Sequence, residues 1–139
     1  AISCEVDEKF KPIVGTEKEF DVDVMCISVG LTPLNELLAM RGCMMEYIPQ
    51  LSGLVPLRNE DYETSVENVF AAGDATGVEE ASAAMVEGFL AGLCAAAKIG
   101  YKPDDFMDRK NDYINQLNNL RSGPVGKHIL AGIEQILRR

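Results

Sequence analysis

TSVENVFAAGDATG, residues 64–77, predicts a strand, a sharp turn and the approach to a helix. Its apolar run, Val69–Ala72, has the composition of a buried strand and ends abruptly at Gly73 and Asp74. Glycine lets a ligand approach the backbone closely, and a carboxylate stands beside it. In open α/β sheets, ligands bind outside the carboxyl ends of the strands, where a helix N-terminus favours a phosphate. The stretch therefore predicts an α/β fold with a ligand site at Gly73 and Asp74.

A helix of small and apolar residues is expected next, from roughly Glu80 to Ile99. The backbone N–H groups of Glu80, Ala81 and Ser82 would lie at its start. They could donate hydrogen bonds to a ligand, or they could only take part in capping the helix. Two glycines in this helix, Gly88 and Gly92, predict close packing of the helix on a sheet.

The pattern of Thr64, an apolar strand and then Ala72-Gly73-Asp74 resembles the second FAD-binding motif of the two-dinucleotide-binding-domain flavoproteins. The resemblance implies that Asp74 hydrogen-bonds a hydroxyl of the flavin ribityl chain. Thr64 is expected to satisfy backbone groups at a strand end rather than to contact the cofactor. The alternative is an ordinary strand-turn-helix unit with a solvated aspartate.

Two further segments extend the resemblance. CISVGLTP, residues 26–33, is similar to the segment of pyridine nucleotide-disulfide oxidoreductase-like flavoproteins that returns from the NAD(P)H domain to the FAD domain. Leu34 stands where asparagine is common. Residues 77–92 and 120–124 resemble the FAD subunits of amine and amino-acid dehydrogenases, among them sarcosine oxidase alpha, proline dehydrogenase alpha, opine oxidase and hydrogen cyanide synthase subunits. The implied chemistry is hydride transfer to FAD from an amine, an amino acid or NAD(P)H.

The GxGxxG motif that such flavoproteins carry twice is absent from the sequence. We therefore expect a C-terminal fragment of a larger flavoprotein: a partial FAD/NAD(P)-binding α/β fold with a helical tail, inactive in isolation. Residues 1–28 would end the NAD(P)-binding domain, residues 29–100 would return to the FAD domain, and residues 101–139 would form a helical extension. The alternative is a small non-catalytic α/β interaction module with a structural Gly-Asp turn.

Composition limits the partners. The formal net charge is -9 and there is no basic cluster, which argues against nucleic acid. The most apolar stretch, residues 81–97, contains Glu87 and is not expected to span a membrane. No CxxC pair occurs among the four cysteines, so no metal site is expected; Cys26 and Cys94 are predicted to be buried, in a cytoplasmic protein.

No acid, base or nucleophile for catalysis is identifiable. The expected partners are the remainder of the flavoprotein chain and other oxidoreductase subunits, with homo-oligomers of the isolated chain covering its exposed strands.

Hydrophobic periodicity and turn residues predict the remaining elements. Strands are expected at residues 2–7, 17–21, 22–29, 44–48 and 54–57. Further helices are expected at residues 33–41, from Pro103 to about Arg121, and from there to Arg139. The run at residues 22–29 is apolar enough for a central strand covered on both faces.

Overall fold

The computed structural model of the chain describes residues 1–137. It contains two compact units, Ala1–Gly30 and a second unit that begins at Leu31. The predicted Arg139 end of the last helix lies outside the described residues.

The first unit is a small antiparallel hairpin. Strand β1, Ile2–Ser3, pairs with β2, Lys18–Glu19, which confirms the predicted hairpin in a shorter form. The predicted central strand at residues 22–29 is wrong, because these residues form no strand and their side chains are exposed. Within the described residues no strand pairs with this run, so its N–H and C=O groups have no ladder to join.

The second unit begins with a short helix and a β-hairpin. Helix α1, Glu36–Met40, starts after Asn35 rather than at the predicted Pro33. Strands β3, Met45–Ile48, and β4, Gly53–Pro56, pair antiparallel, as predicted to within a residue or two at each end. A 3₁₀ turn at Pro49–Leu51 joins them, and Ser52 closes it in the left-handed conformation with φ 66°.

Three longer helices follow, and all three were predicted. Helix α2 is Ala81–Lys98, α3 is Phe106–Leu120 and α4 is Pro124–Ile136. Gly100, with φ +98°, ends α2 in a left-handed conformation that other residues rarely adopt. Pro124 opens α4 from its first position, where its missing N–H has no intrahelical partner to lose.

Two apolar clusters form the core of this unit. In the first, α2 and α3 pack together and against the segment around Tyr62, burying Val86, Leu90 and Leu117. In the second, α4 packs on the β3–β4 hairpin. Its buried members are apolar side chains from both elements: Ile48, Leu51, Val55, Ile129, Ile133 and Ile136.

The predicted strand at Val69–Ala72 is reduced to a single antiparallel bridge between Phe70 and Glu63. The Thr64 N–H donates to the Val69 carbonyl at 2.8 Å, and the Ala71 N–H donates to the Tyr62 carbonyl at 3.0 Å. Because the segment is paired along one side only within the described residues, the four-residue buried strand is wrong. The run nevertheless leads into the Gly73 turn as expected.

Two predictions about individual side chains are also wrong. A Cβ added at Gly88 or at Gly92 would meet nothing within 4 Å, so neither glycine serves close packing on a sheet. Cys26 is exposed, because the strand meant to bury it does not form; Cys94 is buried, as predicted.

Helix α2 is long and apolar enough, by length and composition alone, to cross a membrane, with a mean hydropathy of 1.3 over 18 residues. Core helices of globular proteins meet the same criterion. One face of α2 is packed in the first cluster, and that face also carries Glu87.

Candidate functional site

The sequence folds into a tight 3₁₀ turn, Gly73–Thr76, at the predicted ligand site. Ala72 enters it extended, and Gly73 turns the chain with φ +68°. A side chain at Gly73 would meet the Ala84 Cβ at 3.4 Å, so the turn lies against the start of α2. The Thr76 hydroxyl donates to the Gly73 carbonyl at 2.9 Å and closes the turn from within.

Asp74 projects from this turn into solvent. Its side chain is exposed and accepts no hydrogen bond from any group in the described part of the chain. The carboxylate is therefore available to a ligand that brings a donor, such as a hydroxyl group.

The N-terminus of α2 is available as well. Its N-cap residue, Glu80, makes no side-chain capping hydrogen bond. The first N–H groups of a helix have no intrahelical acceptor, and those of Ala81 and Ser82 fall in this first turn. The structure thus places all five predicted residues on the Gly73 turn or the start of the helix that packs against it.

A cavity of about 490 Å³ opens at the starts of α2 and α4. Glu80 lines it, whereas Gly73, Asp74, Ala81 and Ser82 do not. Its other walls come from the α2 approach, the α3–α4 turn and the first turns of α4: Val78, Glu79, Ala83, Leu120, Arg121, Gly123, Pro124, Val125, Gly126 and Ile129. The predicted residues therefore surround the helix start rather than line one common pocket.

Thr64 is buried and satisfies local backbone groups, as predicted. Its hydroxyl accepts from the Val66 N–H at 3.2 Å and receives the Cys43 thiol at 3.4 Å. These contacts satisfy local groups, and burial of the side chain leaves it without access to a ligand.

A buried ionic cluster lies directly behind the turn, which we call the Glu87 cluster. It comprises Arg58, Tyr62, Glu79, Glu87 and Arg121. Glu87, on α2, is 2 % exposed and accepts hydrogen bonds with both carboxylate oxygens. Oε2 receives the Gly73 N–H at 2.8 Å, while Oε1 receives the Tyr62 hydroxyl at 3.0 Å and an Arg121 N–H at 2.6 Å.

The remaining contacts neutralise the cluster. Arg121 also donates to Glu79 from Nε at 3.0 Å. Its guanidinium therefore lies between the carboxylates of Glu79 and Glu87 and is hydrogen-bonded to both. Arg58 donates to Glu87 at 3.4 Å and stacks over the Tyr62 ring at 3.9 Å from its centroid. With two arginines and two glutamates, the buried charge sums to zero, which burial requires.

Electrostatics fix the protonation of two members. Burial raises the pKa of Tyr62 well above its ordinary value, and the Glu87 charge adds to the rise, so the phenol remains a donor. Burial alone would lower the pKa of Arg121, but its hydrogen bond to Glu79 and the Glu87 charge outweigh that and raise it. Both groups therefore keep donating to Glu87 at any ordinary pH.

The Glu87 cluster is not predicted from the sequence. Glu87 interrupts an apolar stretch, and it falls on the same helix face as the apolar residues Ala83, Val86 and Leu90. A glutamate on the core face of a helix must be paired, so this spacing was the available indication. Its partners lie 14 to 34 residues away and could not be read from local pattern.

No group of three or more metal-ligating side chains occurs in residues 1–137. The sequence shows no recognisable pair of a catalytic nucleophile and its base. The turn and the start of α2 supply hydrogen-bond acceptors and donors. What this arrangement can do chemically is bind and orient a ligand.

Comparison with known proteins finds a match to one family model and similarity to two opine oxidase subunits. A family model described as pyridine nucleotide-disulphide oxidoreductase matches residues 2–88. The first relative, an opine oxidase subunit of Rhizobium meliloti (strain 1021), is 32% identical over 80 residues, 58% of this chain and 18% of that protein. The second, the corresponding protein of Agrobacterium tumefaciens (strain Ach5), is 28% identical over 83 residues, 60% of this chain and 16% of that protein. The alignments therefore span less than a fifth of either relative. No solved structure matches the chain.

Proposed function

Because the chain belongs to the pyridine nucleotide-disulphide oxidoreductase family, we propose that it is the FAD-binding segment of a flavin-dependent oxidoreductase. The observation that carries the proposal is Asp74, an exposed carboxylate without a partner among the described residues that follows Gly73 directly beside the uncapped start of α2. In this proposal Asp74 accepts a hydrogen bond from a ribityl hydroxyl of the flavin.

Family membership already fixes the general class. The family is one of oxidoreductases, it typically binds FAD and NAD(P), and it implies the corresponding dinucleotide-binding fold. The described residues contribute a mixed arrangement of helices and short strands to such a fold. Membership favours a flavoprotein over the alternative of a small non-catalytic interaction module.

The residues present fit a flavin dinucleotide. Asp74 can accept from a hydroxyl, and the free N–H groups of Ala81 and Ser82 can donate to a carbonyl or phosphate oxygen. The expected approach of a ligand to the Gly73 backbone is wrong, because Gly73 is buried against Ala84 and its N–H is held by Glu87; Gly73 shapes the turn that presents Asp74. Glu79 approaches the same region, but its charge is matched by Arg121 and does not oppose an anionic ligand.

When bound, the flavin supplies the redox chemistry, and the protein supplies binding, orientation and electrostatics. The residues of this chain hold the cofactor in our proposal: Asp74 through its carboxylate and Glu80, Ala81 and Ser82 through backbone N–H groups. Glu87 and Arg121 are buried and paired with each other, and in this proposal they support the turn without contact with the cofactor.

The specific type of oxidoreductase is also a proposal. We propose an amine or amino-acid dehydrogenase or oxidase, with NAD(P)H as an alternative hydride source. Two observations support this: the likeness to the two opine oxidase proteins, and the resemblance of residues 77–92 to FAD subunits of amine and amino-acid dehydrogenases. The partners would be the remainder of a longer flavoprotein chain and other oxidoreductase subunits, in the cytoplasm.

The domain arrangement follows the same proposal. Residues 1–28 would end an NAD(P)-binding domain, residues 29–100 would belong to the FAD domain, and residues 101–139 would extend it. The segment carries no GxGxxG motif for the ADP moiety of the cofactor, so the isolated chain would be inactive.

Absorbance spectroscopy tests this proposal. The full-length protein that contains this segment should purify yellow and release FAD on denaturation, identified by chromatography. The isolated 139-residue chain should be colourless. A full-length protein that binds no flavin when FAD is supplied would contradict the proposed function, and stoichiometric flavin in the isolated chain would contradict its fragment character.

A further inference from the structure

Glu87 links the Gly73 turn to the C-terminal helices. Its Oε2 atom holds the backbone N–H of Gly73 at 2.8 Å, one residue before Asp74. Its Oε1 atom receives Arg121, which directly follows α3. Arg121 lies beyond residues 2–88, the part of the chain that the family model matches.

The two carboxylate oxygens of Glu87 thus have separate roles. One fixes the backbone at the point where φ turns positive and the chain leaves its extended course. The other is held by a phenol and two guanidinium groups, so the side chain cannot rotate away from the turn without breaking those contacts. The position of the Asp74 backbone is consequently set by a side chain on α2.

A carboxylate at position 87 has two roles. Its charge compensates the buried guanidiniums of Arg58 and Arg121, which removal of Glu87 alone would leave short of a counter-charge. Only an acceptor at this reach satisfies the Gly73 N–H, which otherwise is buried without a partner. The arrangement serves the turn as much as the core.

We propose that Glu87 is the positioning residue of the flavin site. It sets the conformation of the Gly73–Asp74 turn and, through Arg121, makes the helices beyond residue 88 part of the cofactor site. This inference rests on the proposed function, since it concerns the same turn. It assigns Glu87 no contact with the cofactor.

Two variants separate the contact with the turn from the buried charge. Glu87→Asp keeps the charge but withdraws the carboxylate by one methylene, about 1.5 Å, out of range of the Gly73 N–H. Arg58→Met removes a guanidinium that faces Oε1 and leaves the contact between Oε2 and the Gly73 N–H in place. FAD dissociation constants and urea unfolding midpoints are measured for both in the full-length protein.

The proposal predicts a crossed result. Glu87→Asp should weaken FAD binding about tenfold, the value of one hydrogen bond, while Arg58→Met, in which Oε2 still holds the Gly73 N–H, should bind within about threefold of wild type. Stability should show the opposite order, because Arg58→Met leaves the two buried glutamates with one guanidinium between them. If affinity falls in the same order as stability, Glu87 is structural only and the proposal is overturned.

Two controls complete the experiment. Leu90→Ala, one turn further along α2 in the same apolar cluster, should lower stability and leave FAD affinity within about twofold; an affinity loss equal to that of Glu87→Asp would overturn the proposal. Asp74→Ala, measured in parallel, distinguishes failure of the positioning role of Glu87 from failure of the proposed flavin site. If it weakens FAD binding while Glu87→Asp does not, only the positioning role fails; if Asp74→Ala changes nothing, the proposed site fails and the positioning role with it.

Discussion

Two carboxylates thirteen residues apart occupy opposite environments. Asp74 is exposed and has no partner among the described residues, whereas Glu87 is buried and takes donors from four residues. The acceptor sites of Glu87 are occupied by donors of the protein, whereas those of Asp74 can accept a donor from a ligand. The motif predicts a ligand role for Asp74, whereas the buried environment of Glu87 is visible only in the structure.

The four thiols divide in the same way, and this gives a prediction at the residue scale. Cys4 and Cys26 are exposed, while Cys43 and Cys94 are buried. At pH 8, Ellman's reagent should label the two exposed thiols of the native protein rapidly and the two buried thiols only after unfolding. Mass spectrometry of labelled peptides checks this; rapid native labelling of Cys94 would contradict the packing of α2 against α3.

Cys94 also predicts a dependence of stability on pH. Burial, followed by the charge of Asp61, raises the pKa of the thiol from 9.0 to about 11. Between these values the unfolded chain has lost the proton and the native protein retains it, so stability falls as pH rises. Urea unfolding should show this contribution unchanged below pH 9 and lost from pH 9 towards 11. Cys94→Ala should lessen the decline.

At the scale of elements, helices were predictable and strands less so. The hydrogen bonds of α2, α3 and α4 are internal, and punctuating residues such as Gly100 and Pro124 mark their ends in the sequence. The runs at residues 22–29 and 69–72 have strand composition, but a strand requires a partner, and composition does not provide one. The β3–β4 hairpin formed as predicted because its partner is adjacent in the chain.

Two glycines on different helices give a matched prediction. A Cβ at Gly126 in α4 would lie 2.4 Å from the Arg121 Cα, whereas one at Gly88 in α2 would meet nothing within 4 Å. Gly126→Ala should therefore destabilise the protein by about 1–3 kcal/mol through the clash with backbone atoms. Gly88→Ala should stabilise it by about 0.5–1 kcal/mol through helix propensity. Urea denaturation of both variants checks the pair; a neutral Gly126→Ala would contradict the close approach of α4 to the end of α3.

At the scale of the whole molecule, many large apolar side chains are exposed. In the first unit, Val24 is 77% and Val29 90% exposed, and in the second, Leu34 is 81% and Met40 83% exposed. Apolar surface on this scale recruits other polypeptide surfaces. In the proposed flavoprotein, the remainder of the chain would cover it.

The isolated chain should consequently self-associate. We predict homo-oligomers in which copies cover one another's apolar surfaces, with a mass that rises with concentration. Light scattering over a concentration series measures this. A monomer that unfolds cooperatively at high micromolar concentration would show that the chain needs no such cover and would favour an independent module.

The central claim is that Asp74 holds a flavin, and its most direct test is the FAD dissociation constant of Asp74→Ala in the full-length protein. Loss of a hydrogen bond to a charged acceptor predicts a rise in the dissociation constant of about tenfold to a hundredfold. Asp104→Ala, at an exposed aspartate just before α3, is the matched control and should bind FAD as wild type does. An Asp74→Ala protein with wild-type flavin content and affinity would contradict the account.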